Sequence, residues 1–120
     1  MADQNVAHGS FVIERLIDAP PSRVYAAFAT AEGKERWSGA PQAEALRREF
    51  DFRVGGHDRL FCQWQEGAHR SHPKIRTTDF RAEYRDIVPV RRIVYVYERY
   101  LDESRISVSL ATVQFHAHEG

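Results

Sequence analysis

From Glu44 onward, apolar and polar residues alternate with a period of two, which is typical of half-buried β-strands. The alternation runs on both sides of Gly55-Gly56, within "EFDFRVGGHDRLFCQW". Short turn-like segments separate the alternating runs, so an antiparallel meander is the economical arrangement. Five segments are predicted to be strands: "EALRREFDFRV", "DRLFCQWQ", "KIRTTDFRAEYRDIV", "RRIVYVYERY" and "SRISVSLATVQFHA".

The chain before Glu44 is organised differently. Residues 1–9 are small and polar, and we expect a loose terminus. Ser10–Pro20 ("SFVIERLIDAP") is predicted to be a strand, and Pro21 suits the first turn of a helix over "PSRVYAAFAT". A second short helix is expected over Ala31–Trp37. The order predicts an α+β fold, a single domain over residues 10–120 with a curved antiparallel sheet of about six strands.

The last predicted strand changes phase near its end. Ile106, Val108 and Leu110 hold one phase and Val113 holds the other, which predicts a bulge near residues 111–112. The sequence stops at "HAHEG", which resembles the start of a hairpin turn. A long apolar edge strand invites pairing. We therefore expect either that another chain covers this edge or that the 120 residues are part of a longer protein.

The glycine pair does not match a nucleotide-binding motif. A phosphate loop needs a lysine and a hydroxyl residue after its glycines, and a dinucleotide fingerprint must open a helix. The residues after Gly55-Gly56 form a predicted strand instead. The pair therefore indicates a hairpin turn, or a bulge where another stretch of backbone comes close.

The sequence gives little support for a metal site or for a nucleophilic cysteine. His116 and His118 would share a strand face, and His69 and His72 flank a loop, but spacing fixes no third ligand. We predict neither a metal site nor a cofactor. Cys62 is the only cysteine, has no internal disulfide partner, and is in phase with apolar neighbours. A buried cysteine of this kind usually packs as a small hydrophobic residue.

Composition narrows the partner classes further. Seventeen basic and seventeen acidic residues cancel, so nothing favours binding to nucleic acid or to an anionic membrane. No signal peptide is recognisable, no segment approaches the ~20 apolar residues of a membrane span, and a cytoplasmic location is expected. Aromatic residues make up 12% of the chain. At strand spacing they predict either a core or the wall of a cavity for a small apolar ligand.

Three segments in order resemble the Hsp90-ATPase-activator-like (AHSA1-type) branch of the START/Bet v 1-like (SRPBCC) superfamily. They are "IDAPPSRVYAAFATAEGKERW", "FDFRVGGHDRLF" and "RAEYRDIVPVRRIVYVYE". The resemblance spans about Phe11–Phe115. It implies a helix-grip fold, in which the curved sheet wraps a long C-terminal helix around a cavity, and it makes Gly55-Gly56 a hairpin turn. The sequence shows neither the C-terminal strand nor the long helix of the family. Without them, we expect a shortened chain or an oligomer that covers the exposed apolar face.

The resemblance also implies a set of cavity residues. Trp37 would lie near the mouth, and the predicted ligand-binding residues are Trp37, Phe50, Phe52, Leu60, Cys62, Trp64, Phe80, Tyr84, Tyr95 and Tyr97.

Three functional hypotheses follow. The first is non-catalytic binding of a small hydrophobic or amphipathic ligand in the aromatic cavity, with a homodimer as one possible assembly. The second is docking on an Hsp90-type chaperone and stimulation of its ATPase, as the family name suggests. The third is an enzyme of the cyclase, aromatase or hydrolase type, for which Tyr84, Arg81 or Asp79 would be the available acid–base groups. We predict no catalytic residue from the sequence itself.

Overall fold

The elements of the fold lie within residues 7–38, 43–69 and 72–117, which the computed structural model describes; the side chains of Trp37 and Ser38 are outside this description. The helices are α1 (Pro21–Ala29) and α2 (Ala31–Ser38), and the strands are β1 (Ala43–Phe50), β2 (His57–Trp64), β3 (Thr77–Val88), β4 (Arg92–Leu101) and β5 (Ser104–Gln114). The strands form one antiparallel sheet in the order β1-β2-β3-β4-β5. The predicted α+β meander is confirmed.

The predicted first strand is the main difference. Ser10–Pro20 contains no strand, and its apolar side chains are exposed, with Phe11 and Leu16 each more than four-fifths accessible. Alternation shows which side chains of a strand would be buried, but a strand also needs a neighbour to complete its hydrogen bonds. No described strand pairs with this segment, so the described sheet has five strands where about six were predicted.

Thr30 joins the two helices. Its hydroxyl donates to the carbonyl of Ala26 in α1 at 2.8 Å and accepts from the amide of Gly33 in α2 at 3.0 Å, so one residue caps both elements. A Cβ on Gly33 would lie 2.7 Å from Cα of Ala27. Glycine therefore allows α2 to approach α1 closely, and this approach places the next residue, Lys34, over the sheet.

The glycine pair forms the turn between β1 and β2, as predicted. Gly55 has a φ of 83°, which side chains disfavour, and a Cβ on Gly56 would lie 2.1 Å from the carbonyl oxygen of Asp51. The amide of Gly55 donates to the carbonyl of Tyr84 at 2.8 Å, and the amide of Tyr84 donates to the carbonyl of Gly56 at 3.0 Å. The turn therefore lies alongside β3 and fixes the position of Tyr84.

The bulge predicted near residues 111–112 is not there. The β4–β5 register runs without interruption from Arg92 opposite Gln114 to Arg99 opposite Ser107, and the irregularity lies between Arg99 and Tyr100. Because no bulge intervenes between Val108 and Val113, these two side chains point to opposite faces of the sheet. Val108 is 65% exposed as a result.

The sheet stays open, so the core is small. Among the described residues, the buried hydrophobic side chains are Cys62, Ala82, Tyr84 and Ile93. The accessible surface is 9441 Å², whereas a compact monomer of this mass exposes about 6,700 Å². Much of the surface of the sheet is therefore accessible, including one face that carries most of the aromatic side chains of the strands.

Candidate functional site

The register of β2, β3 and β4 assembles one face of the sheet, which we call the cavity face. Leu60 of β2 pairs with Phe80 of β3, and Phe80 pairs with Arg99 of β4. Because side chains two residues apart on a strand share a face, every second residue from these three lies on the same face of the sheet. The cavity face comprises Asp58, Leu60, Cys62 and Trp64 of β2, Thr78, Phe80, Ala82 and Tyr84 of β3, and Tyr95, Tyr97, Arg99 and Leu101 of β4.

Helices α1 and α2 lie over one end of this face, which we call the helix-covered end. The ring of Phe52 packs edge-on against Tyr84 at 4.9 Å and against Tyr25 of α1 at 6.0 Å. Phe115, which follows β5, packs on Tyr25 at 5.5 Å and on Phe28 at 5.6 Å. Edge-to-face rings at these separations stabilise one another beyond the area they bury.

A buried ion pair connects α2 to the sheet at this end. The ammonium of Lys34 lies 2.8 Å from a carboxylate oxygen of Asp58, and both side chains are almost inaccessible. The hydroxyl of Tyr84 donates to the same oxygen at 3.3 Å. Burial raises the pKa of Tyr84, and the nearby Asp58 carboxylate raises it further, so Tyr84 stays a neutral hydrogen-bond donor. A void of about 10 Å³ beside these groups has room for about one water molecule.

Beyond the helices the cavity face opens into a trough of about 580 Å³. Its apolar wall includes Leu60, Cys62, Trp64, Phe80 and Leu101. This volume lies within the range of sites that hold small organic ligands.

Polar groups hold the far wall of the trough in place. The indole nitrogen of Trp64 donates to the hydroxyl of Thr78 at 2.9 Å, and the Trp64 ring packs edge-on against His69 at 4.8 Å. At the centre, the guanidinium of Arg99 lies over the rings of Phe80 and Tyr97, 5.4 and 5.5 Å from their centroids. The contacts with Thr78 and His69 orient the Trp64 indole with its apolar body towards the trough.

The predicted binding residues divide between the two ends. Five of them, Leu60, Cys62, Trp64, Phe80 and Tyr95, line the trough. Tyr97 stacks beside Phe80 at 5.4 Å and Tyr95 at 5.6 Å. Phe50, Phe52 and Tyr84 pack together at the helix-covered end. Trp37 lies in α2, and its side chain is outside the described residues.

Sequence reasoning missed the charged groups of the cavity face. Asp58 is in phase with Leu60 and Cys62, and Arg99 is in phase with Tyr95 and Tyr97, so the alternation contained a signal for both. Nothing local pointed to Lys34, because its partner lies 24 positions away and only the packing of α2 on α1 brings them together.

The candidate acid–base groups are tied to other side chains. Burial alone would raise the pKa of Asp79, but hydrogen bonds from Arg59 and Arg81 outweigh burial and lower it below the usual value. Burial raises the pKa of the Cys62 thiol, although the charge of Arg48 opposes this. Neither Asp79 nor Cys62 is therefore tuned towards neutral pH as an acid, a base or a nucleophile.

Two negative observations concern the described part of the chain. No three His, Cys, Asp or Glu side chains converge there as metal ligands. None of the helices described has the length and apolar character needed to cross a bilayer.

Solved structures from Rhizobium loti, Rhizobium leguminosarum and Rhodobacter sphaeroides have the same fold as this chain. The Mll3558 protein from Rhizobium loti is 33% identical, with a TM-score of 0.71 over 87% of this chain and 69% of its own. An uncharacterized protein from Rhizobium leguminosarum is 38% identical, with a TM-score of 0.74 over 88% of this chain. A Rhodobacter sphaeroides protein at 22% identity, with a TM-score of 0.65 over 88% of this chain, shares the fold. The chain spans 65% and 62% of the length of the last two.

A separate comparison with curated proteins finds no match. The family model for Activator of Hsp90 ATPase homolog 1-like proteins, in contrast, matches residues 18–120, which include both helices and all five described strands. Together with the two relatives above 30% identity, this match confirms the resemblance inferred from the sequence. The chain belongs to the family of Activator of Hsp90 ATPase homolog 1-like proteins.

Proposed function

We propose that this protein binds a small hydrophobic or amphipathic molecule in the trough, without chemical conversion of it. The observation that carries the proposal is the open space of about 580 Å³ against a wall of Leu60, Trp64, Phe80 and Leu101. Burial of apolar ligand surface against such a wall supplies most of the affinity, roughly 25 cal/mol per Å².

Binding is favoured over catalysis because Tyr84 on the cavity face and Asp79 on the opposite face of β3 both have pKa values shifted away from neutral pH. Tyr84 has a raised pKa and donates to Asp58, and Asp79 has a lowered pKa and accepts from two arginines. General acid–base catalysis works best with a pKa near the operating pH. These two groups therefore serve packing and hydrogen bonding better than proton transfer.

A neutral fluorescent probe tests the proposal. N-phenyl-1-naphthylamine should bind the full chain saturably, with enhanced emission, because its rings can replace water on the apolar wall. Phe80→Ala removes an aromatic ring from that wall and should weaken binding by about tenfold. Phe61→Ala is the matched control, since Phe61 alternates with Leu60 and Cys62 and points to the opposite face.

The control should bind the probe within about twofold of the unmodified chain, a difference of roughly 0.4 kcal/mol. Absence of saturable binding would remove the proposal. Equal losses in Phe61→Ala and Phe80→Ala would place the probe elsewhere and would also contradict it.

The family match favours a second candidate function, stimulation of an Hsp90-type chaperone ATPase. Its test is the steady-state ATPase rate of such a chaperone with and without the full chain. Because surface charge guides many such encounters, the assay should be run at low and moderate salt. An unchanged rate at both salt concentrations would eliminate this candidate and leave ligand binding untouched.

A further inference from the structure

The charges around the trough are unevenly matched. Among the described residues that line it, Asp58 and Asp79 are acidic, and only Asp58 belongs to the cavity face, since Asp79 pairs with Phe61 and points to the opposite face. Asp58 is 2.8 Å from the Lys34 ammonium, and Asp79 lies 2.9 Å from guanidinium nitrogens of both Arg59 and Arg81. Each of these carboxylates is therefore already bonded to a cation of the protein, and neither is placed to attract a cationic ligand.

Arg99 differs from these bonded cations. Its guanidinium lies over Phe80 and Tyr97, and within the described residues no carboxylate pairs with it. Within the part of the chain that the structure describes, Arg99 therefore gives the trough a positive charge that no carboxylate neutralises.

Within the described residues, no side-chain hydrogen bond or ion pair uses the guanidinium of Arg99, so its N–H donors are available. A guanidinium that packs on aromatic rings uses its flat face, whereas its N–H donors lie in the plane and point outward. Two parallel N–H groups match the two oxygens of a carboxylate. Leu101, two residues along the same strand, and Leu60, which pairs with Phe80, border the trough beside these N–H donors.

We propose that the ligand of the trough is an amphipathic monocarboxylate, an aliphatic or aromatic acid whose apolar part covers the wall and whose carboxylate pairs with Arg99. This inference rests on the proposed function, because it assigns the chemical class that the same trough accepts. The anionic group distinguishes it from a neutral apolar ligand, which the wall alone would hold.

Isothermal titration with three eight-carbon probes tests this assignment at neutral pH. Octanoate, octanol and octylamine share one apolar chain and differ in their head groups. A carboxylate–guanidinium pair at a solvent-accessible site should make octanoate bind about tenfold more tightly than octanol. Octylamine should bind more weakly than either, because its ammonium is repelled by Arg99.

Variants then assign the preference to one residue. Arg99→Gln should lower the ratio of octanoate affinity to octanol affinity from about ten to about one, and octanol binding that persists in this variant shows that the trough remains intact. Arg99→Lys should retain part of the preference, because it keeps the charge and loses the two-pronged geometry. Arg91→Gln, an exposed arginine in the β3–β4 turn, is the matched control and should change nothing.

The outcomes separate this inference from the proposed function. Equal affinities for octanoate and octanol overturn the anionic preference while ligand binding stands. A preference that survives Arg99→Gln, or that Arg91→Gln removes equally, overturns the role of Arg99. Failure of all three probes and of the neutral fluorescent probe overturns both proposals together.

Discussion

At the helix-covered end of the cavity face, Tyr84 is 3% exposed, and its hydroxyl and the Lys34 ammonium both bond to the Asp58 carboxylate. At the trough, by contrast, Phe80 is half-buried and Arg99 is exposed. Both ends derive from the same strands with the same alternation. The difference comes from the helices, which cover one end and leave the other accessible.

The difference between the two ends distinguishes residues that contribute to stability from residues that contribute to ligand binding. Aromatic rings that pack on rings of α1 contribute to the folded state, whereas rings that face an open trough leave apolar surface for a ligand. The expectation is that mutations under the helices lower stability and mutations in the trough lower affinity.

The largest effect is expected for Asp58→Ala. The change leaves the Lys34 ammonium buried without its Asp58 counter-charge and removes the acceptor of the Tyr84 hydroxyl, and breaking such a pair costs about 3–5 kcal/mol. Urea unfolding followed by circular dichroism measures the loss. Asp51→Asn is the control, because its pair with Arg53 is solvent-exposed and contributes little. A change below about 1 kcal/mol for Asp58→Ala would mean that the pair does not tie α2 to the sheet.

The same truncation at the two ends should give opposite results. Phe52→Ala removes a ring packed between Tyr25 and Tyr84 and should lower the free energy of unfolding by about 2–4 kcal/mol. Phe80→Ala, which loses contacts with Tyr97 and Arg99, should cost about 1 kcal/mol but weaken binding of the fluorescent probe. Paired unfolding and binding curves measure both quantities. Equal stability losses would show that the helices do not make Phe52 more important for the folded state than Phe80.

Gly33→Ala tests how the helices reach their position. The added Cβ would lie 2.7 Å from Cα of Ala27 and 2.8 Å from the carbonyl oxygen of Ala26, so α2 must shift. Overpacking of this kind costs about 1–3 kcal/mol, and the higher helix propensity of alanine recovers at most about 1 kcal/mol. Thermal unfolding measures the net loss. Gly9→Ala is the matched control, since a Cβ there meets nothing within 4 Å. A stability equal to that of the unmodified chain would indicate that the two helices need no close approach.

The comparison also shows which features local pattern could predict. The five strands after Glu44 and their antiparallel order follow from alternation and turn residues, and the glycine turn follows from its position between two alternating runs. Which aromatic residues are covered does not follow. Phe52 and Phe80 have the same strand-like context in the sequence, and only the placement of α1 and α2 distinguishes them.

Two further features depended on long-range partners. The phase change after Leu110 predicts a bulge, whereas β5 keeps its register there and exposes Val108 and Leu110 instead. The Lys34–Asp58 pair depends on a helix crossing that no single segment encodes. Alternation assigns faces to side chains, but it does not identify the element that lies opposite each face.

The smallest effect is expected for the reaction rate of the Cys62 thiol, which tests where along β2 the helix-covered end gives way to the trough. It lines the trough but is only 8% exposed, and burial raises the pKa of its thiol. Because the thiolate is the reactive form, reaction with an aromatic disulfide reagent at mildly alkaline pH should be about tenfold slower than that of the urea-unfolded chain.

Bound octanoate should slow the same reaction further, because a ligand on the wall covers the sulfur without changing the fold. The rate is followed by absorbance of the released thiolate, with the unfolded chain plus octanoate as the control for direct effects of the probe. A native rate equal to the unfolded rate would mean that the β2 wall opens readily. A native rate that octanoate leaves unchanged would place the ligand away from Cys62. Cys62 would then belong to the helix-covered end and not to the trough.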